Sequence, residues 1–321
     1  MKREMNKPGL PYRFLCVSMA LYCVSNLADA KDKAYRPPRL PDGHVNIQGM
    51  WEFTNLIPME RPRDVKALVI TQADAARIDD NSAKRAEDPT VIDSASGYRR
   101  PRHVEPIRGE LHSSVVVDPQ DGRIPFTVKY SEKRRLARPV GMAAAFDGPE
   151  QRPTMERCIA SDGAPLFRSI PSNNLHQFIQ TSNVVMIHSE ELPDTRIIRI
   201  GGQHAPAALL SYLGDSIGWW EGDTLVVETK NFLPATYVSP QTTLIERFTR
   251  VSNNELHYLF TVEDPNYYTQ QWTGENHFLL GTEQMFEYAC HEGNYALPNI
   301  LHGTRAQEAA KEKAGSITNA Y

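Results

Sequence analysis

Fifteen residues, 218–232, constrain this chain more than any other stretch; they read GWWEGDTLVVETKNF. Two tryptophans lead into Glu221-Gly222-Asp223, and a β-branched, alternating run follows over 224–229. Gly222 supplies the backbone freedom of a tight turn and Asp223 tolerates it, while Leu225, Val226 and Val227 favour extended chain. The stretch predicts a β-hairpin. Similar runs flank it. Residues 175–181 and 183–190 read as a strand pair meeting at Ser182-Asn183, and 195–200 as a strand closed by Gly201-Gly202. Residues 242–251 pair with 255–263 across Ser252-Asn253-Asn254, and segments 277–280 and 284–290 complete the set. Short strands at this frequency predict a mainly β chain: an antiparallel lipocalin-like barrel or sandwich with a few short helices and long loops. The absence of βαβ alternation argues against Rossmann and TIM folds.

The first half is more broken. Pro37, Pro38 and Pro41 predict an extended arm, and 46–55 reads as a first strand with Trp51 and Phe53 on one face. Thr71 and Asp74 form a capping box that opens a helix over 72–87. Residues 88–108 are polar, basic and proline-broken, hence a loop. Residues 113–117 read as a short strand ending in the Asp118-Pro119-Gln120-Asp121-Gly122 turn, 132–136 as a helical turn, and 205–213 as a short helix or turn. A charged helix over 305–313 ends the chain. The expected organisation is one barrel-like domain over 31–321, with a helical and loop insertion around 70–157.

Residues 1–30 have the tripartite form of a secretory signal peptide. Lys2, Arg3, Lys7 and Arg13 are basic, 14–27 is apolar, and Ala28-Asp29-Ala30 is a cleavage site. The apolar run is too short for a stable membrane span; an uncleaved N-terminal anchor is the alternative. Without residues 1–30, which hold four Lys/Arg and two Asp/Glu, 31 basic residues face 37 acidic ones, a formal charge of −6. That balance gives no general attraction to nucleic acid or anionic membrane. Cleavage leaves Cys158 and Cys290, and two cysteines in an exported protein are expected to pair; two free buried thiols are the alternative. The expected location is periplasmic or secreted.

Motif chemistry is sparse. Ten histidines include no HExxH or HxH arrangement, so no metal or other cofactor is expected, although a site assembled from distant strands stays open. No GxSxG elbow, SxxK or phosphate loop occurs. The candidates left are ionisable residues on strands near the hairpin: Arg196, His204, Asp215, Glu246, Arg247 and His291 as catalytic groups. His176, Trp219, Trp220, Tyr267, Trp272 and Tyr288 are the candidate ligand-binding residues, with Tyr267 and Trp272 placed near a barrel mouth. All twelve could instead serve as strand-to-strand ties or plain core.

The chain also resembles a group of exported bacterial proteins of mostly unassigned function. The resemblance is carried by DGHVNIQGMWEFTN, VVDPQDGRIP, GPEQRPTMERC, NNLHQFIQT, RIIRIGGQH, GDSIGWWEGDTLVVETKNF, ERFTRV, FTVEDP and YACHEGNY, and covers nearly everything after residue 30. Relatives of this pattern often carry an aromatic in place of His176 and Asp in place of Glu228. The resemblance implies export and a lipocalin-like or related β-barrel, but no particular reaction. Pocket-forming architecture, aromatic side chains and scattered acid–base groups lead to two expectations. The first is a cofactor-independent lyase or isomerase acting on an aromatic or phenolic compound; the second is a non-catalytic carrier of a small hydrophobic ligand.

Overall fold

The computed structural model describes residues 35–55, 57–87, 104–136, 148–152, 154–160, 163–167, 174–192, 194–235 and 238–318. Residues 1–30, read above as a signal peptide, and most of 88–108, read as a loop, lie outside the described residues. Ten strands form one sheet: β1 (Gly49–Glu52), β2 (Val116–Asp118), β3 (Leu175–Gln180), β4 (Val184–Ser189), β5 (Thr195–Ile200), β6 (Asp215–Glu221), β7 (Thr224–Lys230), β8 (Thr243–Arg250), β9 (Glu255–Glu263) and β10 (Trp272–Leu280). The order is β1-β3-β4-β5-β6-β7-β8-β9-β10-β2, and β10 also pairs with β1, so nine strands close a barrel. The tenth, β2, takes the other end of the same β10 edge. Among the described residues three α-helices lie outside the sheet: α1 (Gln72–Glu87), α2 (Val128–Leu136) and α3 (Ala296–Thr318). In chain order α1, β2 and α2 lie between β1 and β3.

The hairpin closes as its residues dictate. Glu221 pairs with Thr224 across the two-residue turn Gly222-Asp223, and Gly222 adopts φ +59°. Alternation then sorts each strand. Leu244, Glu246 and Phe248 of β8 and Leu256, Tyr258, Phe260 and Val262 of β9 are buried, while their neighbours are only half-buried or exposed. Period-two burial of this kind is what a barrel wall requires.

Two features depart from the sequence expectation. The barrel is mixed rather than wholly antiparallel, because β5 and β6 run parallel. The connecting segment 201–214 carries the chain back to start β6 beside β5 and contains turns, the second of the two forms expected for 205–213. Residues 284–290 form no strand. They follow β10, whose edges are already paired with β9 on one side and with β1 and β2 on the other, so β10 offers them no backbone partner. Tyr288 and His291 therefore lie in an irregular tail and not on a barrel strand. In addition, β10 and α3 run longer than the 277–280 and 305–313 read from sequence.

The barrel has unlike ends. At the lower end, where β6 turns into β7, the 44–47 segment forms a plug. Val45 and Ile47 are fully buried, Ile47 N–H donates to Gln180 Oε1 at 3.0 Å, and Arg250 Nη1 donates to the Asn46 carbonyl at 2.7 Å. The Arg250 guanidinium lies 5.5 Å above the Trp51 ring, and His44 stacks on Trp220 at 5.0 Å. The upper end, where β7 leaves for β8, carries polar groups inward. Among the described residues no helix is long and apolar enough to cross a membrane.

Candidate functional site

The upper half of the barrel buries a complete ionic network. Arg196 on β5 points inward, and its Nη1 donates to Glu246 Oε1 of β8 at 3.1 Å. Its Nη2 donates to Glu246 Oε2 and, at 2.8 Å, to Thr229 Oγ1. Its Nε donates to Ser216 Oγ at 2.9 Å. Tyr258 Oη on β9 donates to Glu246 Oε1 at 2.9 Å, and the Ser216 and Thr229 hydroxyls lie 2.9 Å apart. Five strands thus contribute one polar side chain each. Glu246 is fully buried and Arg196 nearly so, and the bidentate fork satisfies both charges where water does not reach. Burial, reinforced by the Glu246 charge, holds the Tyr258 phenol well above its ordinary pKa, so it stays a donor.

His176 is the second inward polar group. It sits directly opposite Ser189 in the β3–β4 ladder, with Nδ1 2.9 Å from Ser189 Oγ. Burial pushes its pKa down to about 3, so the imidazole is neutral at any ordinary pH. The β4–β5 register places Ile187 opposite Arg196, and Ser189 is the next residue of β4 on the same face. The His176–Ser189 pair and the Arg196 network are therefore one inward step apart along neighbouring strands.

Between them stands Phe167, delivered from an irregular segment. Its ring meets His176 at 5.0 Å, Tyr258 at 5.4 Å and Phe278 at 5.1 Å, and Phe53 and Phe248 complete the surround. Most of these pairs are edge-to-face, the arrangement that aromatic quadrupoles favour. These rings pack between a neutral imidazole on one side and a hydrogen-bonded ion pair on the other.

The remaining sequence candidates fall elsewhere. His204 and Asp215 do meet, but on the outer wall: His204 Nδ1 is 2.8 Å from Asp215 Oδ2 and Nε2 is 2.9 Å from Glu228 Oε1. Arg199 forks onto Asp215, whose oxygen also accepts from Ala205 N–H. The Arg199 hydrogen bonds, above all, hold Asp215 far below the usual carboxylate range. Both imidazole nitrogens are engaged, so this cluster clasps the 201–214 crossover to β6 and β7. Arg247 faces outward and pairs with Glu221 at 2.7 Å, because alternation on β8 puts it opposite to Glu246. Trp219 lies outside, with its indole on Glu221, and Trp220 lies at the plugged lower end. Tyr267 stands at the β9–β10 bend, where Tyr130 meets its ring edge-on at 4.6 Å. Trp272 is buried and inward at the start of β10, whereas His291 is exposed in the tail. Tyr288 is half-buried in that tail, and burial lifts its pKa.

Sequence reasoning passed over a further cluster. Glu255-Leu256-His257 on β9 and Glu275-Asn276-His277 on β10 are two E-x-H segments, and the antiparallel register sets His257 opposite His277. Each histidine then reaches the other strand's carboxylate: His257 Nε2 to Glu275 Oε1 at 2.6 Å, and His277 Nδ1 to Glu255 Oε1 at 3.1 Å. The 104–112 segment adds Glu105, 3.4 Å from His277 Nε2, and His112, 3.8 Å from Glu275. Among the described residues no three such groups are placed to hold a metal ion.

Burial alone would depress His277, but Glu105 and Glu255 outweigh it and raise the pKa above the ordinary 6.5. Burial would lift Glu255 and Glu275, but hydrogen bonds from His277 and His257 outweigh it and lower both below the ordinary 4.5. The His277 contribution to stability is complete below the unfolded value and lost as pH rises through the folded one. The carboxylate contribution is present above the unfolded value and lost as pH falls through the folded one. We expect the denaturation midpoint of wild type to exceed that of His277→Gln most at about pH 6, with the gap narrowing toward pH 9. A gap constant over that range would remove His277 from the linkage.

In comparison with known proteins, no family model, no curated protein and no solved structure matches the chain.

Proposed function

We propose that this chain is an exported small-molecule enzyme, a cofactor-independent lyase or isomerase that moves a proton on an aromatic or phenolic compound in the upper half of its barrel. Export rests on the signal-like residues 1–30. The observation that carries the reaction class is four ionisable groups, His176, Arg196, Glu246 and Tyr258, inside a ring-lined interior. A barrel of this size fills its core with apolar side chains at no penalty. Burying an ion pair instead gains little stability over a hydrophobic replacement, so its presence is a reason to look for chemistry.

The roles follow from protonation. His176 is neutral and fixed by Ser189, which suits it to accept or relay a proton at its other nitrogen. Arg196, whose other N–H groups go to Glu246, Thr229 and Ser216, keeps one Nη1 N–H to donate to charge developing on a phenolate or enolate oxygen. The substrate ring packs among the rings around Phe167.

The test is incubation of the mature protein with a panel of aromatic and phenolic compounds in D2O, read by mass spectrometry. Product or deuterium uptake without added cofactor is expected. His176→Phe should lower the rate by about 100-fold or more, the usual worth of a general acid–base group, while the melting temperature holds. Undiminished turnover in that variant would remove His176 from the chemistry.

A second reading is a non-catalytic binding protein for a small hydrophobic ligand. It is favoured by the satisfaction of the Arg196–Glu246 network within the protein and by the preponderance of rings. Ligand retention without turnover across the panel would select it.

A further inference from the structure

Trp272 carries one of four buried side-chain polar atoms that meet no hydrogen-bond partner among the described residues, the others being Arg61 Nε, Glu105 Oε2 and His112 Nδ1. Its side chain is 1% exposed and occupies an inward position of β10. Its Nε1 is buried and meets no hydrogen-bond acceptor among the described residues. An indole N–H is a donor only, so all the polar capacity of the side chain goes unused. Leaving such a donor unmade in the interior costs about 1–3 kcal/mol, and phenylalanine would fill much of the same space without the cost.

The surroundings keep the indole in place. Its ring meets Phe260 edge-on at 5.5 Å and Tyr268 at 5.9 Å. Gly274, the next inward residue of β10, makes room: a Cβ there would stand 2.2 Å from the Phe260 ring. Phe260 in turn stacks on Tyr258 at 5.3 Å, and Tyr258 holds Glu246. A continuous row of rings therefore joins the unpaired donor to the ionic network. The strand registers give the same link. Trp272 is opposite Val262, Val262 opposite Leu244, Leu244 opposite Thr229 and Thr229 opposite Ser216. Trp272 thus lies on the cross-strand row that ends in the two hydroxyls holding Arg196.

We propose that Trp272 is a specificity-determining residue whose indole N–H binds an acceptor oxygen on an aromatic ligand: a phenol, aryl ether or aryl carbonyl. The inference rests on the function proposed above and deepens it. A ring lacking the oxygen leaves the donor unpaired, so the site rejects it; this is how a buried polar group discriminates between near-isosteric ligands.

The experiment uses phenol, anisole and toluene as probes of the full mature protein, with affinities from titration calorimetry and the Trp272 indole 15N–1H resonance followed by NMR. Phenol and anisole should bind at least 10-fold more tightly than toluene and shift that resonance. Trp272→Phe should keep its fold and lose the preference, so that its phenol-to-toluene affinity ratio falls toward unity. An equal oxygen preference in both proteins, or a Trp272 resonance unmoved by bound phenol, overturns the proposal and leaves the catalytic reading standing. Oxygen-selective binding lost in Trp272→Phe, with no turnover on any compound, upholds Trp272 and sinks catalysis. Failure of all three probes to bind overturns both.

Discussion

Replacing Glu246 by leucine is expected to destabilise the fold by about 3–5 kcal/mol, the cost of leaving a buried guanidinium without its partner. Arg196 would keep its bonds to Ser216 and Thr229 but lose both contacts to the carboxylate, and Tyr258 Oη would lose its acceptor. No water-exposed rotamer is at hand to relieve the charge, because Arg196 is 6% exposed on an inward strand position. The double variant Arg196→Met with Glu246→Leu should recover most of the loss, since an apolar pair of similar volume buries no charge. The cycle also separates fold from function. A double variant that melts near wild type but neither binds nor converts aromatic probes would locate function in the network. A single variant within about 1 kcal/mol of wild type in a denaturant titration would show that the charge is relieved elsewhere, contrary to the closed geometry.

Strands β3 to β9 were legible because their cues are local: period-two alternation ending in Gly-Asp, Ser-Asn or Asn-Asn turns. What the residues on those strands touch was not legible. Arg196 and Glu246 are 50 positions apart, and nothing in either segment announces the other. The parallel β5–β6 pairing was missed because hairpin logic assumes that a turn reverses the chain, whereas the 201–214 crossover carries it back instead. His204 and Asp215 meet around that crossover, outside the barrel, where they tie strands instead of facing the interior.

The first half of β10 was missed for a different reason. Gly274, Glu275 and Asn276 have poor strand propensity, and tertiary context overrides it. Gly274 is required by Phe260, and Glu275 pairs with His257. The same strand hid the His–Glu quartet. Two E-x-H triplets carry no signal until the register sets one histidine across from the other. The segment 284–290 shows the converse: an acceptable strand pattern fails where both edges of the preceding strand are taken.

Removing the Cys158–Cys290 disulfide should lower stability by about 3–5 kcal/mol, which corresponds to roughly 10 °C in melting temperature for a domain of this size. The bridge spans 132 positions, and strands β3 to β10 all lie within the loop it closes. Its direct contacts are modest. Cys290 lies in the tail after β10, which is otherwise held by Asn294 Nδ2 donating to the Glu156 carbonyl at 3.2 Å and Phe286 N–H donating to Glu190 Oε1 at 2.9 Å. If the bridge acted only through those contacts, the Cys158→Ser, Cys290→Ser double variant would loosen the tail and leave the barrel midpoint unchanged. The chain-entropy argument predicts otherwise: the link restricts the unfolded ensemble, so its loss lowers global stability even where no barrel contact is touched. Denaturant titration together with hydrogen exchange distinguishes the two. A lowered midpoint with reduced protection of the β7–β9 amides supports the global effect; increased exchange confined to 281–295, at an unchanged midpoint, would show that the disulfide anchors only the tail.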